Sequence, residues 1–251
     1  MTGSKKDYSV LIVEDDPIIA RVIISILKDS GFQVDEPVDS GEKAISRVAS
    51  STPGVVLMDI DLMGWLSGIE TARLLLQFFS VPVIFVTGHD EEEMMVRSEI
   101  ACPYGYLIKP LSQSSLNTTI HVARTLHSKL CQTTEGKAGG LTDDQRSDLI
   151  SPDRPVILLD DQKRIVWLND AAEFLLERSS GDLALADGPS SISMEVPGSG
   201  KPVDIFSSGM APDTPLVFPG TSHGRKATVH LHTITDPYGD PGGFFLRFDY
   251  A

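Results

Sequence analysis

The chain reads as an α/β domain on a five-stranded, doubly wound parallel sheet, followed by a smaller α+β domain with an antiparallel sheet. Three observations predict this. Aliphatic, β-branched runs at residues 10–13, 55–58, 83–86 and 104–108 have the composition of strands buried on both faces, as in parallel sheets. Helical periodicity fills the intervals between them, so strand and helix alternate. From residue 132 the alternation stops, and from residue 155 strand follows strand across short turns.

Taken in order, the first domain holds helices near residues 17–30, 41–50, 68–79, 91–100 and 112–131, with one more strand near 32–37. Asp16 before Pro17 has the form of an N-cap with proline at the first helical position, and this reading is preferred to metal binding. Asp90 with Glu93 forms a capping box, so the acidic run there opens a solvated helix. In the last helix Leu116, Ile120, Ala123 and Leu130 keep helical spacing, and Val122 and Leu126 widen the stripe. Its length suits a packing face and a signalling linker equally.

Composition bounds the function classes. A length of 251 residues suits two domains with their own cores. Net charge is −14, with 11 Lys+Arg against 17 Asp+Glu up to Leu130 and 10 against 18 after it. The second half has no basic patch to neutralise phosphates, which disfavours a nucleic-acid partner. Cys102 and Cys131 fit neither a disulfide framework nor a zinc site, and point to a reducing, cytoplasmic compartment. No apolar run approaches the roughly 18 residues that span a bilayer, and residues 1–6 lack the apolar core of a signal peptide.

Four motifs end the four apolar runs: Val13-Glu14-Asp15-Asp16, Met58-Asp59-Ile60, Val86-Thr87-Gly88 and Lys109-Pro110. In an open α/β sheet, ligands sit beyond the carboxyl ends of the strands, so these residues gather at one edge. Glu14, Asp15 and Asp59 side by side repel unless a cation compensates. A hard divalent ion such as Mg²⁺ suits oxygen ligands and keeps positions open for phosphate oxygens. Asp59 then has the placement of a nucleophile that takes up a phosphoryl group. Mg²⁺, the Lys109 ammonium and the Thr87 hydroxyl would each take one equatorial oxygen, and Gly88 would keep the approach open.

With these residues in place, the chain from about Asp7 to Lys129 resembles the response-regulator receiver domain of two-component signalling, a flavodoxin-like fold. The resemblance implies that Glu14 and Asp15 are the acidic pair, with Asp15 the direct metal ligand, and that Asp59 is the phosphoacceptor. It makes Thr87 and Tyr106 the switch pair and Lys109 the family's lysine, with a cis bond to Pro110. Asp61 and His89, two places after the phosphoacceptor and the switch threonine, would tune dephosphorylation. The loop at residues 61–70 departs from the family's frequent Met-Pro and is one residue longer, which bears on partner choice more than on chemistry.

Residues 132–152 read as a linker, flexible over 133–140 with a short charged helix over 142–149, which divides the chain into domains 1–131 and 153–251. In the second domain a strand at 155–159, a turn at 160–163 and a strand at 164–168 precede Asn169, which caps a helix carrying Ala171, Ala172, Phe174, Leu175 and Leu176. This opening resembles a PAS domain. Residues 179–224 are irregular, and strands at 226–235 and 243–249 suit the closing antiparallel pair. His230 and His232 share one strand face with His223 nearby, and read as solvated histidines in preference to a metal site. No ligand-binding residue is assigned there.

The expectation is therefore a response regulator, phosphorylated by a sensor histidine kinase or phosphotransfer protein, with protein–protein output through a PAS-like domain and homodimerisation biased by the receiver surface of the fourth helix, fifth strand and fifth helix. It is not an enzyme beyond its own phosphotransfer and dephosphorylation. The alternative is a ligand-sensing PAS protein modulated by its receiver; a transcription factor is disfavoured by charge. No membrane partner is expected.

Overall fold

The computed structural model describes residues 8–64, 66–88, 103–133, 140–160, 165–176, 193–195, 202–204, 216–218, 227–235 and 241–250. They form two compact units, meeting in sequence between Gly140 and Leu141. The helix expected at 91–100 with its Asp90–Glu93 cap, together with His89, Cys102 and His223, lies outside the described residues.

The first unit runs β1 (Ser9–Val13), α1 (Pro17–Asp29), β2 (Gln33–Val34), α2 (Gly41–Ser50), β3 (Val55–Asp59), α3 (Gly68–Phe79), β4 (Val83–Thr87), β5 (Gly105–Ile108) and α4 (Gln113–Thr133). Its sheet has the order β2-β1-β3-β4-β5 with every pairing parallel. The strand order reverses beside β1, and a crevice opens at such a switch point, next to the carboxyl ends of β1 and β3. Every residue of β3 and β4 is buried, as their unbroken apolar runs require.

One face of the sheet is covered by Ile23 and Leu27 of α1 with Leu116, Ile120 and Ala123 of α4, packed on Val10, Ile12, Leu57, Ile84 and Val86. That face alone buries more than a dozen apolar side chains, each contributing roughly 1.5–3 kcal/mol on transfer from water. Val122 and Leu126, expected to widen the α4 stripe, are instead about half exposed, at 47% and 50%. Of the expected α4 stripe, Leu116, Ile120 and Ala123 reach the core.

Helix starts follow local chemistry. Asp16 caps α1, its Oδ1 accepting from the N–H of Ile18 at 2.7 Å and of Ile19 at 3.3 Å, with Pro17 next in the chain. Ser67 and Glu70 form a capping box at α3. These caps orient the helix N-termini that flank the carboxyl edge.

The second unit comprises α5 (Asp143–Leu149), β6 (Val156–Asp160), β7 (Ile165–Leu168), α6 (Asp170–Leu176), β8 (Ser193–Glu195), β9 (Pro202–Asp204), β10 (Leu216–Phe218), β11 (Ala227–Thr235) and β12 (Pro241–Tyr250). Five strands form an antiparallel sheet, β10-β11-β12-β6-β7, while β8 and β9 pair apart from it. The last strand therefore lies beside the first, and the closing pair completes the sheet that the opening hairpin began. Asp160, read from sequence as a turn residue, is the buried end of β6.

Two polar hubs organise this unit. Asn169 does more than cap α6: its Oδ1 accepts from the N–H groups of Val156 and Ala172 at 3.0 Å each, and its Nδ2 donates to the Arg154 carbonyl at 2.8 Å. Asp148 of α5 is buried and ion-paired with Arg154 and with Arg247 of β12, the latter at 3.1 Å. Through Asp148 the helix expected inside the linker is bound into the second unit. His230 and His232, expected to be solvated, are half-buried with rings stacked at 6.3 Å, and His230 Nε2 lies 3.2 Å from Asp249 Oδ2. Burial, then the nearby Arg247 charge, lowers the His230 pKa below the ordinary histidine value.

Candidate functional site

Parallel pairing aligns the strand ends. Val13 of β1 is in register with Met58 of β3, Asp59 with Val86 of β4, and Thr87 with Ile108 of β5. Glu14, Asp15, Asp59, Thr87 and Lys109 therefore emerge along one edge, as strands of this register must place them. Glu14, Asp59 and Thr87 are buried, Asp15 and Lys109 half-buried.

Lys109 ties the edge together. Its Nζ lies 2.8 Å from Glu14 Oε2 and 2.8 Å from Asp59 Oδ2, bridging residues 95 and 50 positions away. Its backbone N–H donates to the Thr87 carbonyl at 2.8 Å, and the Lys109–Pro110 peptide is cis. The second oxygen of Asp59, Oδ1, accepts from the Asp61 N–H at 3.3 Å. Both oxygens of this carboxylate are thus oriented, one by an ammonium and one by a backbone amide.

The electrostatics are those of a site built around a cation. Burial pushes the Glu14 pKa up from 4.5 to about 7, reinforced by the adjacent Asp59 and opposed by Lys109. Burial also works against the Lys109 ammonium, yet its hydrogen bonds and attraction to Asp59 and Glu14 carry its pKa above the ordinary lysine value. Glu14 Oε1 is buried without a hydrogen-bond partner among the described residues. Glu14, Asp15 and Asp59 each offer one oxygen, all within 4.8 Å of one another. An orphaned buried oxygen in a group of three carboxylates fits a hard, oxygen-seeking cation.

The other expected residues fall as follows. Asp16 turns its carboxylate to its own helix and away from the acidic group. Tyr106 pairs with Phe85 in register, their rings 5.8 Å apart, and Thr87 lies two residues beyond Phe85. Side chains two apart on a strand share a face, so Thr87 and Tyr106 are diagonal neighbours there. A Cβ on Gly88 would meet nothing within 4 Å, which leaves the approach past Thr87 open. The Asp61 side chain is exposed.

Two residues missed from sequence also shape the site. A Cβ on Gly68 would stand 1.9 Å from the Asp59 carbonyl oxygen, so α3 begins against the backbone of Asp59 itself. Glu42 of α2 accepts the Leu66 N–H at 3.1 Å, across 24 residues. The Ser67–Glu70 capping box was a legible signal for the first; the second has no local sequence signal.

Comparison with known proteins agrees with this geometry. The response regulator receiver domain family matches residues 10–121. The chain is 27% identical over 129 residues to the transcriptional regulatory protein PdtaR of Mycobacterium tuberculosis, covering 49% of this chain and 62% of that protein, less than two thirds of its length. It is 29% identical over 184 residues to the positive alginate biosynthesis regulatory protein of Pseudomonas aeruginosa, covering 70% of this chain and 72% of that one. Among solved structures, the signal receiver domain of a modulated diguanylate cyclase from Desulfovibrio desulfuricans is 35% identical, with a TM-score of 0.45, covering 49% of this chain and 97% of that one. No helix among the described residues is long and apolar enough to cross a membrane. Residues 10–121 of this chain are a response regulator receiver domain, the phosphoacceptor module of two-component signalling.

Proposed function

We propose that this chain is a cytoplasmic response regulator switched by phosphorylation of Asp59, with output through a PAS-like second domain. The observation that carries it is the Lys109 ammonium, 2.8 Å from both Asp59 and Glu14 at the carboxyl edge of the sheet. Asp59 Oδ attacks the phosphorus of a phosphohistidine on a kinase or phosphotransfer protein. A carboxyl–phosphate bond forms, the histidine nitrogen–phosphorus bond breaks, and the imidazole leaves with the electron pair. Asp15, Glu14 and Asp59 would hold Mg²⁺, which when bound neutralises phosphoryl oxygens.

Lys109 neutralises charge at the carboxylate, the Asp61 N–H orients its second oxygen, and the Thr87 hydroxyl takes a phosphoryl oxygen. Thr87 moving to the phosphate frees its face of the sheet for Tyr106, and Asp61 with His89 sets the lifetime of the product. The half-exposed Val122 and Leu126 of α4, with Ile108 45% exposed at the end of β5, offer an apolar surface on which the switch acts, a homodimer contact included. The antiparallel sheet with its last strand beside its first supports the PAS-like reading of the second domain. Charge in that half weighs against direct nucleic-acid contact despite the transcriptional name of one relative.

The test is labelling with a small acyl phosphate and Mg²⁺. The parent chain takes up one phosphoryl group and Asp59→Ala takes up none; equal labelling of both refutes the assignment.

A further inference from the structure

Among the described residues, the Glu42 carboxylate of α2 reaches the loop between Asp59 and α3 from outside it. Glu42 Oε1 accepts the Leu66 N–H at 3.1 Å. The same carboxylate lies 3.2 and 3.3 Å from where a Cβ on Gly64 would stand, and Gly64 has φ +152°, a conformation that glycine tolerates. Leu66 itself is buried, and its Cβ lies 3.0 Å from where a Cβ on Gly41 would be, so α2 meets the loop closely. The loop's own bonds lie further on: Ser67 N–H to Glu70, and Gly68 N–H to the Ile60 carbonyl at 3.1 Å. At its other end the Asp61 N–H reaches Asp59 Oδ1.

We propose that Glu42 is a positioning residue for phosphoryl transfer at Asp59. Its carboxylate fixes Leu66, which fixes the loop, which keeps the Asp61 amide on Asp59 Oδ1 while Lys109 holds Oδ2. The nucleophile then meets the phosphodonor in one orientation. A charge-assisted hydrogen bond to a backbone amide is strong enough to hold such a loop, and misplacement of a reacting group by about 1 Å can lower a rate by about a hundredfold. Leu66 is buried, so its backbone N–H needs an acceptor, and Glu42 supplies one.

This inference rests on Asp59 as phosphoacceptor, and the experiment separates the two. Glu42→Ala and Glu42→Gln are made in the full chain, and three quantities are measured. These are amide hydrogen exchange of Leu66, thermal melting, and labelling by a small acyl phosphate resolved into its saturation constant and maximal rate.

Glu42→Ala should speed Leu66 exchange about tenfold and lower the maximal labelling rate about tenfold, with the saturation constant little changed and the melting point lowered by only a few degrees, well short of unfolding at the assay temperature. Glu42→Gln keeps the oxygen acceptor and should restore most of the rate. Unchanged Leu66 exchange in Glu42→Ala overturns the tether whatever the labelling. A maximal rate within twofold of the parent, or Glu42→Gln as slow as Glu42→Ala, overturns the positioning role. Failure of the parent to label at all refutes the phosphoacceptor reading instead, while exchange still judges the tether.

Discussion

Gly68→Ala would press directly on the backbone of the phosphoacceptor. The new Cβ would stand 2.9 Å from the Asp59 carbonyl carbon, 3.0 Å from the Ile60 Cα and 1.9 Å from the Asp59 carbonyl oxygen, this last about 1.5 Å short of the 3.4 Å of ordinary contact. All three neighbours are backbone atoms, so no rotamer change relieves the clash. Overpacking of this kind costs roughly 1–3 kcal/mol. Relief by lifting the start of α3 stretches the Gly68 N–H bond to the Ile60 carbonyl, now 3.1 Å, and costs about 1 kcal/mol more.

A loss of about 3 kcal/mol in a unit of this size lowers its melting temperature by roughly 10 °C. Gly88→Ala is the control, because a Cβ there meets nothing within 4 Å. It should change stability by less than about 1 kcal/mol. Calorimetry of both variants, with labelling of Asp59 in parallel, measures the difference. Gly68→Ala melting within about 3 °C of the parent and labelling at the parental rate would refute the close-approach reasoning.

Two further outcomes follow from the carboxylates. Asp16→Ala should cost about 1 kcal/mol through the lost α1 cap with labelling intact, whereas Asp15→Ala should abolish most of the Mg²⁺ dependence of labelling; calorimetry with metal titration separates them, and identical effects contradict the division of roles. Glu14 has its folded pKa raised to about 7 from 4.5, so the folded state holds the extra proton between these values. Metal-free protein should gain stability as pH falls from about 7 towards 4.5, and lose it as pH rises. Mg²⁺ should flatten that slope by favouring the carboxylate. Urea melts at several pH values should show the slope in the parent and lose it in Glu14→Gln; an equal slope in both variants means that another group titrates.

Much of the receiver was legible because its information is local. Buried parallel strands announce themselves as apolar runs, and β3 and β4 are buried at every residue. α2 and α3 begin and end where periodicity and capping residues place them, at Gly41–Ser50 and Gly68–Phe79. Once the strands are parallel, their carboxyl ends bring Glu14, Asp59 and Lys109 together, so motif spacing already implied the meeting of residues 95 positions apart.

Tertiary structure alone decided what depends on partners without local periodicity. Glu42 meets Leu66 across 24 residues and Arg247 meets Asp148 across 99, pairings set by where two elements happen to pack. The same holds for Val122 and Leu126, apolar at helical spacing yet about half exposed, and for His230, whose pKa burial and Arg247 lower. A hydrophobic pattern reports which face of an element prefers burial. How far the neighbouring element extends over that face is set by the packing of the whole unit, and a one-dimensional pattern does not carry it.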